Sequence, residues 1–334
     1  MQTTSLQPLL IDYESEGFPA SSPVANGSNI LQTNWNELLW AAVTVGRPNR
    51  QYVFRHGASS MYEAIFRWSL VRMTLEQRGP NANRLRRTNA AKTLDPSEKG
   101  AVSYFLGMAF ARLFAAKLLQ VPWLLHLDVY RPMLNPILKG RSRPDLVGQT
   151  ANGEWVAIES KGRISPPDST AKAKAKQQAE RVISVNGTPP QFHIGGITYF
   201  RNDIPRFFWR DPKPQRGKTG RSIKLAHDDH LLHYSYQPVI ELIRSQPQSF
   251  QNMLLEPILL PIRELDIEVG IHPYVLKPLI HDQWTGVIQG CLQYGQRLHH
   301  EGYQIDGIRV KAGKSWLTPF VEQDFSQEKD VNKE

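Results

Sequence analysis

The segment Trp155-Val156-Ala157-Ile158-Glu159-Ser160-Lys161 is apolar where it begins and charged where it ends. Read as a strand, its period of two puts Ala157, Glu159 and Lys161 on one face and Val156, Ile158 and Ser160 on the other. The apolar pair packs inward, and the charged pair needs an open cleft. Upstream, Asp95-Pro96-Ser97-Glu98 reads as a helix start, with an N-cap Asp, Pro in the first turn and Glu at the third position. The helix is predicted to run to about Leu119. Its small residues (Gly100, Ala101, Gly107, Ala109, Ala111, Ala115, Ala116) allow close packing against a sheet. Strands are predicted over 122–130, 144–149, 154–161 and 191–200, with a helix capped by Asp168 running to about Ile183. The order is helix, three strands, helix, strand, which is an α/β core with one sheet between helices.

The flanks read differently. Residues 1–33 are polar and rich in Ser, Asn, Gly and Pro, the composition of a flexible arm. An N-terminal helical extension over 34–94 contains a helix opened by Ser60-Met61-Tyr62-Glu63 and running to about Gln77, then a basic loop with Arg84, Arg86, Arg87 and Lys92. Between Arg201 and Lys224 eight basic residues face only Asp203 and Asp211, interleaved with Phe207, Phe208 and Trp209. This is the expected basic loop, whose rings would stack on bases or pack under arginine. The region 225–334 is expected to be mainly helical, over 227–245, 250–265 and 281–301, with a last strand at 308–311 and a fraying end.

The chain has 334 residues and a formal net charge of +9, which favours an acidic partner, with nucleic acid first among them. Cys291 is its only cysteine, so neither an internal disulfide framework nor a cysteine-based zinc site is expected, in keeping with a reducing, cytoplasmic setting. The N-terminus lacks the pattern of a signal peptide, and no stretch reads as long and apolar enough for a bilayer. The richest, 253–262, is interrupted by Glu256, Pro257 and Pro261. Gly217-Lys218-Thr219 lacks the upstream Gly of a phosphate-binding loop, since Pro212 stands there. His227, His230 and His233 have helical metal-like spacing, with capping and surface roles as the plainer reading.

The charged end of the 154–161 strand gains meaning from Arg143-Pro144-Asp145 upstream. Phosphodiester hydrolysis needs an activated water and a stabilised phosphorane, and a bound Mg²⁺ serves both. Mg²⁺ takes hard oxygen ligands and keeps several waters. Asp145 and Glu159 would supply carboxylates and Ser160 a backbone carbonyl, while Lys161 would hold the attacking water or offset charge in the transition state. The turn sets a condition. A two-residue Asn152-Gly153 turn would set Asp145 opposite Ser160, on the wrong face. A three-residue loop, Ala151-Asn152-Gly153 with Gly153 left-handed, pairs Thr150 with Glu154 and brings Asp145 opposite Glu159. The plain alternative is a surface hairpin with solvated Glu and Lys.

Pro144-Asp145, a spacer, then Glu159-Ser160-Lys161 resembles the active-site signature of the PD-(D/E)xK nuclease superfamily, over about residues 95–200. The resemblance implies a restriction-endonuclease-like core (αβββαβ, a mixed central sheet flanked by helices). It implies Mg²⁺, with Mn²⁺ as a substitute, at Asp145, Glu159 and Ser160. Some members carry a Glu near the start of the first core helix; Glu98 occupies that place and also completes a capping box. Glu63 has the same ambiguity further from the core. Several branches place a Gln on the helix after the Glu-x-Lys strand, a role open to Gln177 or Gln178. The RecB-related branch adds a Tyr four residues on, where this chain has Arg181 and Val182. Lysines on that helix would be a solvated face or phosphate contacts. The expectation is a Mg²⁺-dependent DNA endonuclease of restriction or phage-defence type, its basic loops at 84–92, 139–143 and 201–224 tracking phosphate. The competing readings are a repair or recombination nuclease, and a non-catalytic nucleic-acid-binding protein that keeps the fold. RNA as partner, a homodimer and a partner protein stay open; a membrane is not expected.

Overall fold

The first departure from the expected order lies at the N-terminus. In the computed structural model, which describes residues 8–45, 59–77, 83–127, 144–212, 221–223, 235–236, 239–240, 242–244 and 247–320, two sheet strands run through the expected arm. β1 (Leu9–Glu16) alternates buried and half-buried positions along its length, with Leu9, Ile11, Tyr13 and Ser15 inward. β2 (Gly27–Thr33) lies antiparallel against it. The Gly, Pro, Ser and Asn that suggest a flexible arm are concentrated between the strands, at 17–26. A buried aliphatic or aromatic side chain contributes about 1.5–3 kcal/mol, so three along β1 outweigh a polar flank.

Asn34 caps α1 (Trp35–Thr44) by accepting from the Glu37 amide. α2 (Ser59–Thr74) follows, and it ends short of Gln77 because β3 (Leu75–Gln77) pairs with β4 (Leu85–Arg87). After α3 (Asn89–Thr93), the Asp95 capping box opens α4 (Pro96–Leu119). The core strands are β5 (Trp123–His126), β6 (Leu146–Gln149) and β7 (Trp155–Gly162), then α5 (Ser169–Ala179), β8 (Val182–Val185), β9 (Phe192–Arg201) and β10 (Ile204–Arg210). The central sheet has seven strands in the order β2-β1-β10-β9-β7-β6-β5. The β7–β9 and β10–β1 pairs are parallel and the rest antiparallel. β8 pairs instead with β11 (Arg221–Ile223).

The two helices take opposite faces. α4 covers the even-numbered face of β7, where a Cβ at Gly162 would overlap the Ser103 carbonyl and one at Gly107 would lie 3.0 Å from the Gly162 nitrogen. The small residues of α4 are therefore used as expected. α5 covers the other face, close against Gly195, beside Glu159 in the β7–β9 register. On the α4 side Tyr13, Phe114, Phe207 and Trp209 form a ring cluster, with Phe114 and Phe207 centroids 4.2 Å apart.

That cluster corrects the 201–224 expectation. Its first part is β10, an interior strand, and Phe207, Phe208 and Trp209 are buried core. Residues 139–143 and 213–220, and the His227–His233 cluster, lie outside the described residues. The C-terminal region is also less helical than expected. α6 (Pro247–Leu255) stops before Pro257, and β12 (Leu260–Ile262) forms an antiparallel three-stranded sheet with β13 (Ile267–Ile271) and β14 (Ile308–Ala312). α7 (Pro273–Ile280), α8 (Trp284–Gln293) and α9 (Gly295–His300) fill the connection. Asp306 joins this region to α4: it pairs with Arg112 at 3.2 Å and accepts from the Trp40 indole, all three buried. Contrary to expectation, among the described residues one helix is long and apolar enough to cross a membrane, the 24-residue α4, and most of it is buried in this core.

Candidate active site

The β6–β7 connection is the three-residue form. The Thr150 amide donates to the Glu154 carbonyl at 2.9 Å, the Gly153 amide donates to the Thr150 carbonyl at 3.0 Å, and Gly153 has φ +84°. Glycine is used there because a Cβ makes this left-handed backbone costly. The resulting register pairs Leu146 with Ile158 and Gln149 with Trp155. One residue further it sets Asp145 across from Glu159. β6 has ended by then, so the edge of β7 is open at Ser160, and the Ser160 amide donates to Asp145 Oδ2 at 2.9 Å. Amide and carbonyl of one strand residue point to the same edge, so the Ser160 carbonyl also faces the Asp145 side. The Asp145 carbonyl in turn accepts from the Leu127 amide at 2.7 Å, tying it to the end of β5.

Glu159 is 1% exposed. Both its oxygens are enclosed without a well-aligned hydrogen bond, and Lys161 Nζ is in close contact with Oε1. Burial first, then the charge of Asp145, push the Glu159 carboxyl up to about 7, with Lys161 pulling the other way. The Lys161 side chain is 39% exposed and reaches this pair from the solvent side. A carboxylate crowded against another, with enclosed and poorly satisfied oxygens, is a donor set that a hard divalent cation would relieve. Two carboxylates and a carbonyl suffice for Mg²⁺, which retains waters; among the described residues no group of three or more His, Cys, Asp or Glu gathers anywhere.

The other expected residues divide. Glu98 is exposed and its carboxylate accepts from the Asp95 amide, so the structure uses it as a cap and describes no contact between it and the trio. Glu63 pairs with Arg67 on its own helix at 3.1 Å. Gln177 is exposed. Gln178 is half-buried, on the stripe of α5 that carries Ala171 and Ala175 toward the sheet, and its Oε1 is enclosed without a partner. Two lysines of α5 are internal rather than phosphate-facing. Lys172 pairs with Glu14 and Glu16 and lies 3.9 Å from the Phe208 ring centre. Lys176 is buried against Asp211 and the His193 carbonyl. Much of the expected basic surface is likewise neutralised within the fold, through Arg84 and Arg206 with Asp12, Arg87 and Lys92 with Asp203, and Arg210 with Glu16.

Tyr104 was not singled out by the sequence. Its phenol lies 2.7 Å from His126 Nε2, and burial, then Asp145, raise it to about 12, with a smaller push from Glu159 and an opposing one from Arg67. Tyr104 thus stands at the strand end on the α4 face of the sheet, opposite the face that carries Glu159, and close enough to feel the charge of Asp145. The signal was available indirectly: Gly107 marks the crossing of α4 over β7, and Tyr104 is one turn before it.

The fold and site define a mixed α/β protein whose mixed central sheet, flanked by helices, opens at one strand end onto a carboxylate pair and a lysine. Comparisons with protein-family models, curated proteins and solved structures returned no match.

Proposed function

We propose that the protein is a divalent-metal-dependent nuclease with a restriction-endonuclease-like core, acting on DNA. The observation that carries this reading is the placement of Asp145 and Glu159 at one level of adjacent antiparallel strands, with Lys161 on the same face and the strand edge open beside them. Mg²⁺ bound there would supply Lewis acidity to the phosphate and lower the pKa of a water. Asp145, Glu159 and the Ser160 carbonyl would hold it. Lys161, beside Glu159, would hold the attacking water and offset the charge that develops on the phosphate. Gln178, on the sheet-facing stripe of α5, would approach the site from the face that carries Glu159.

The test is Mn²⁺ calorimetry combined with plasmid conversion in Mg²⁺. Wild type should bind the metal and nick or linearise the plasmid. Asp145→Ala should lose both, and Lys161→Ala should bind metal and fail to cut. Wild type that neither binds Mn²⁺ nor cuts would end the nuclease reading. DNA binding without metal binding would favour a non-catalytic protein on the same fold.

A further inference from the structure

Aromatic side chains on a surface usually hide one face, yet four among the described residues are exposed: Tyr62, Phe66, Tyr104 and Phe320. Three of these lie together. Tyr62 and Phe66, 64% and 51% exposed, stand one turn apart on α2, and Tyr104, 41% exposed, is on α4. Phe105 bridges the two helices. Its ring centre is 5.6 Å from that of Phe66, at 80°, and 5.7 Å from that of Tyr104, at 70°. Tyr104 continues to His126, 6.5 Å between centres, through the hydroxyl–Nε2 bond. The rings therefore run in series from the surface of α2 to the strand end beside Asp145. Arg67 steadies the middle: its guanidinium lies 5.8 Å from the Phe105 ring centre and is tied to Glu63 and to the Val45 carbonyl at 2.6 Å.

We propose that this ring series is a stacking surface for the unpaired bases of a nucleic-acid strand, so that the substrate class is single-stranded or frayed rather than fully paired. The inference rests on the nuclease reading for the position of the scissile phosphate. The exposed Phe66 and Tyr104 rings each meet Phe105 nearly edge to face, so the rings are separate platforms rather than one continuous groove for an apolar helix. A net charge of +9 complements a polyanion. Duplex bases keep their faces stacked on one another, so a base can use such rings only when unpaired.

Fluorescence anisotropy in EDTA separates this from the cleavage question. A short labelled oligothymidine should bind at least about tenfold more tightly than a blunt duplex of equal length. Alanine at Phe66 should weaken single-strand binding by roughly 5- to 150-fold, the span of about 1–3 kcal/mol per stacked base, and leave the salt dependence unchanged, since stacking releases no counterions. Phe66→Leu keeps an apolar contact with Phe105 and loses the π-face, and it should behave like the alanine variant. Equal affinity for duplex and single strand, or single-strand affinity indifferent to Phe66→Leu, overturns the proposal. Because no metal or cutting is needed, a wild type that never cleaves but binds single strands through Phe66 supports the stacking surface and removes only the nuclease reading. Cleavage with no dependence on Phe66 does the reverse.

Discussion

Glu159 is held where a carboxylate is costly: enclosed, beside Asp145, with Lys161 in close contact. Its carboxyl is raised from 4.5 to about 7, so the folded chain favours the protonated form. That contribution to stability is full below about pH 4.5 and is lost as pH rises through about 7. Glu159→Gln, which mimics the protonated state, should therefore stabilise the metal-free protein at pH 8 by up to about 3 kcal/mol, with little gain at pH 5. Urea unfolding in EDTA at the two pH values measures this; equal effects at both would mean the site is not strained by charge. The same variant should be inactive. Metal affinity of the wild type should rise as pH passes through about 7, since binding must displace the Glu159 proton. At this scale the trio was legible in the sequence, because a strand's period fixes which of Glu159, Ser160 and Lys161 share a face. Tyr104 was not, because its place depends on where α4 crosses β7.

The β6–β7 hairpin carries the element-scale claim. Its third loop residue makes Asp145 face Glu159, and a one-residue change of register turns every side chain over. Deleting Gln149, with the loop kept, should slide β6 by one residue against β7 and set Asp145 opposite Ile158. We expect a protein whose far-ultraviolet circular dichroism is close to wild type and whose metal binding is lost; retained Mn²⁺ affinity would show that the register does not position the carboxylates. The hairpin was readable because Asn152-Gly153 and the two faces of β7 constrain each other. β1 and β10 were not. Their flanks are polar and basic, and the decisive fact, that each pairs with the other across nearly two hundred residues, has no local signature. Of the C-terminal sheet the last strand was read, at 308–311, and the other two escaped, since strands of three and five residues carry too little alternation to read.

For the whole molecule, Arg112 and Asp306 join the C-terminal region to the core helix α4. The pair is fully buried, and burial raises Asp306 to about 6 despite Arg112, whose own guanidinium is lowered to about 10. Desolvation thus outweighs the attraction, and the pair is held by its surroundings: Arg112 donates to the Val121 and Pro122 carbonyls, and Asp306 accepts from Trp40 and the Ile308 amide. Removing one partner leaves a lone buried charge. Arg112→Met should cost about 3–5 kcal/mol at pH 8 and less at pH 5, where Asp306 takes up a proton. A thermal scan at both pH values reads the difference, and a pH-independent loss would assign the cost to packing alone.

The central claim is that Asp145, Glu159 and Lys161 form one metal-dependent phosphodiesterase site. Single-turnover cleavage of an end-labelled single-stranded oligonucleotide in Mg²⁺, with wild type beside Asp145→Asn, tests it most directly. Wild type should cut, EDTA should stop it, and the near-isosteric variant should be slower by at least about a hundredfold. Wild type inert in both Mg²⁺ and Mn²⁺, or Asp145→Asn cutting at the wild-type rate, would contradict it.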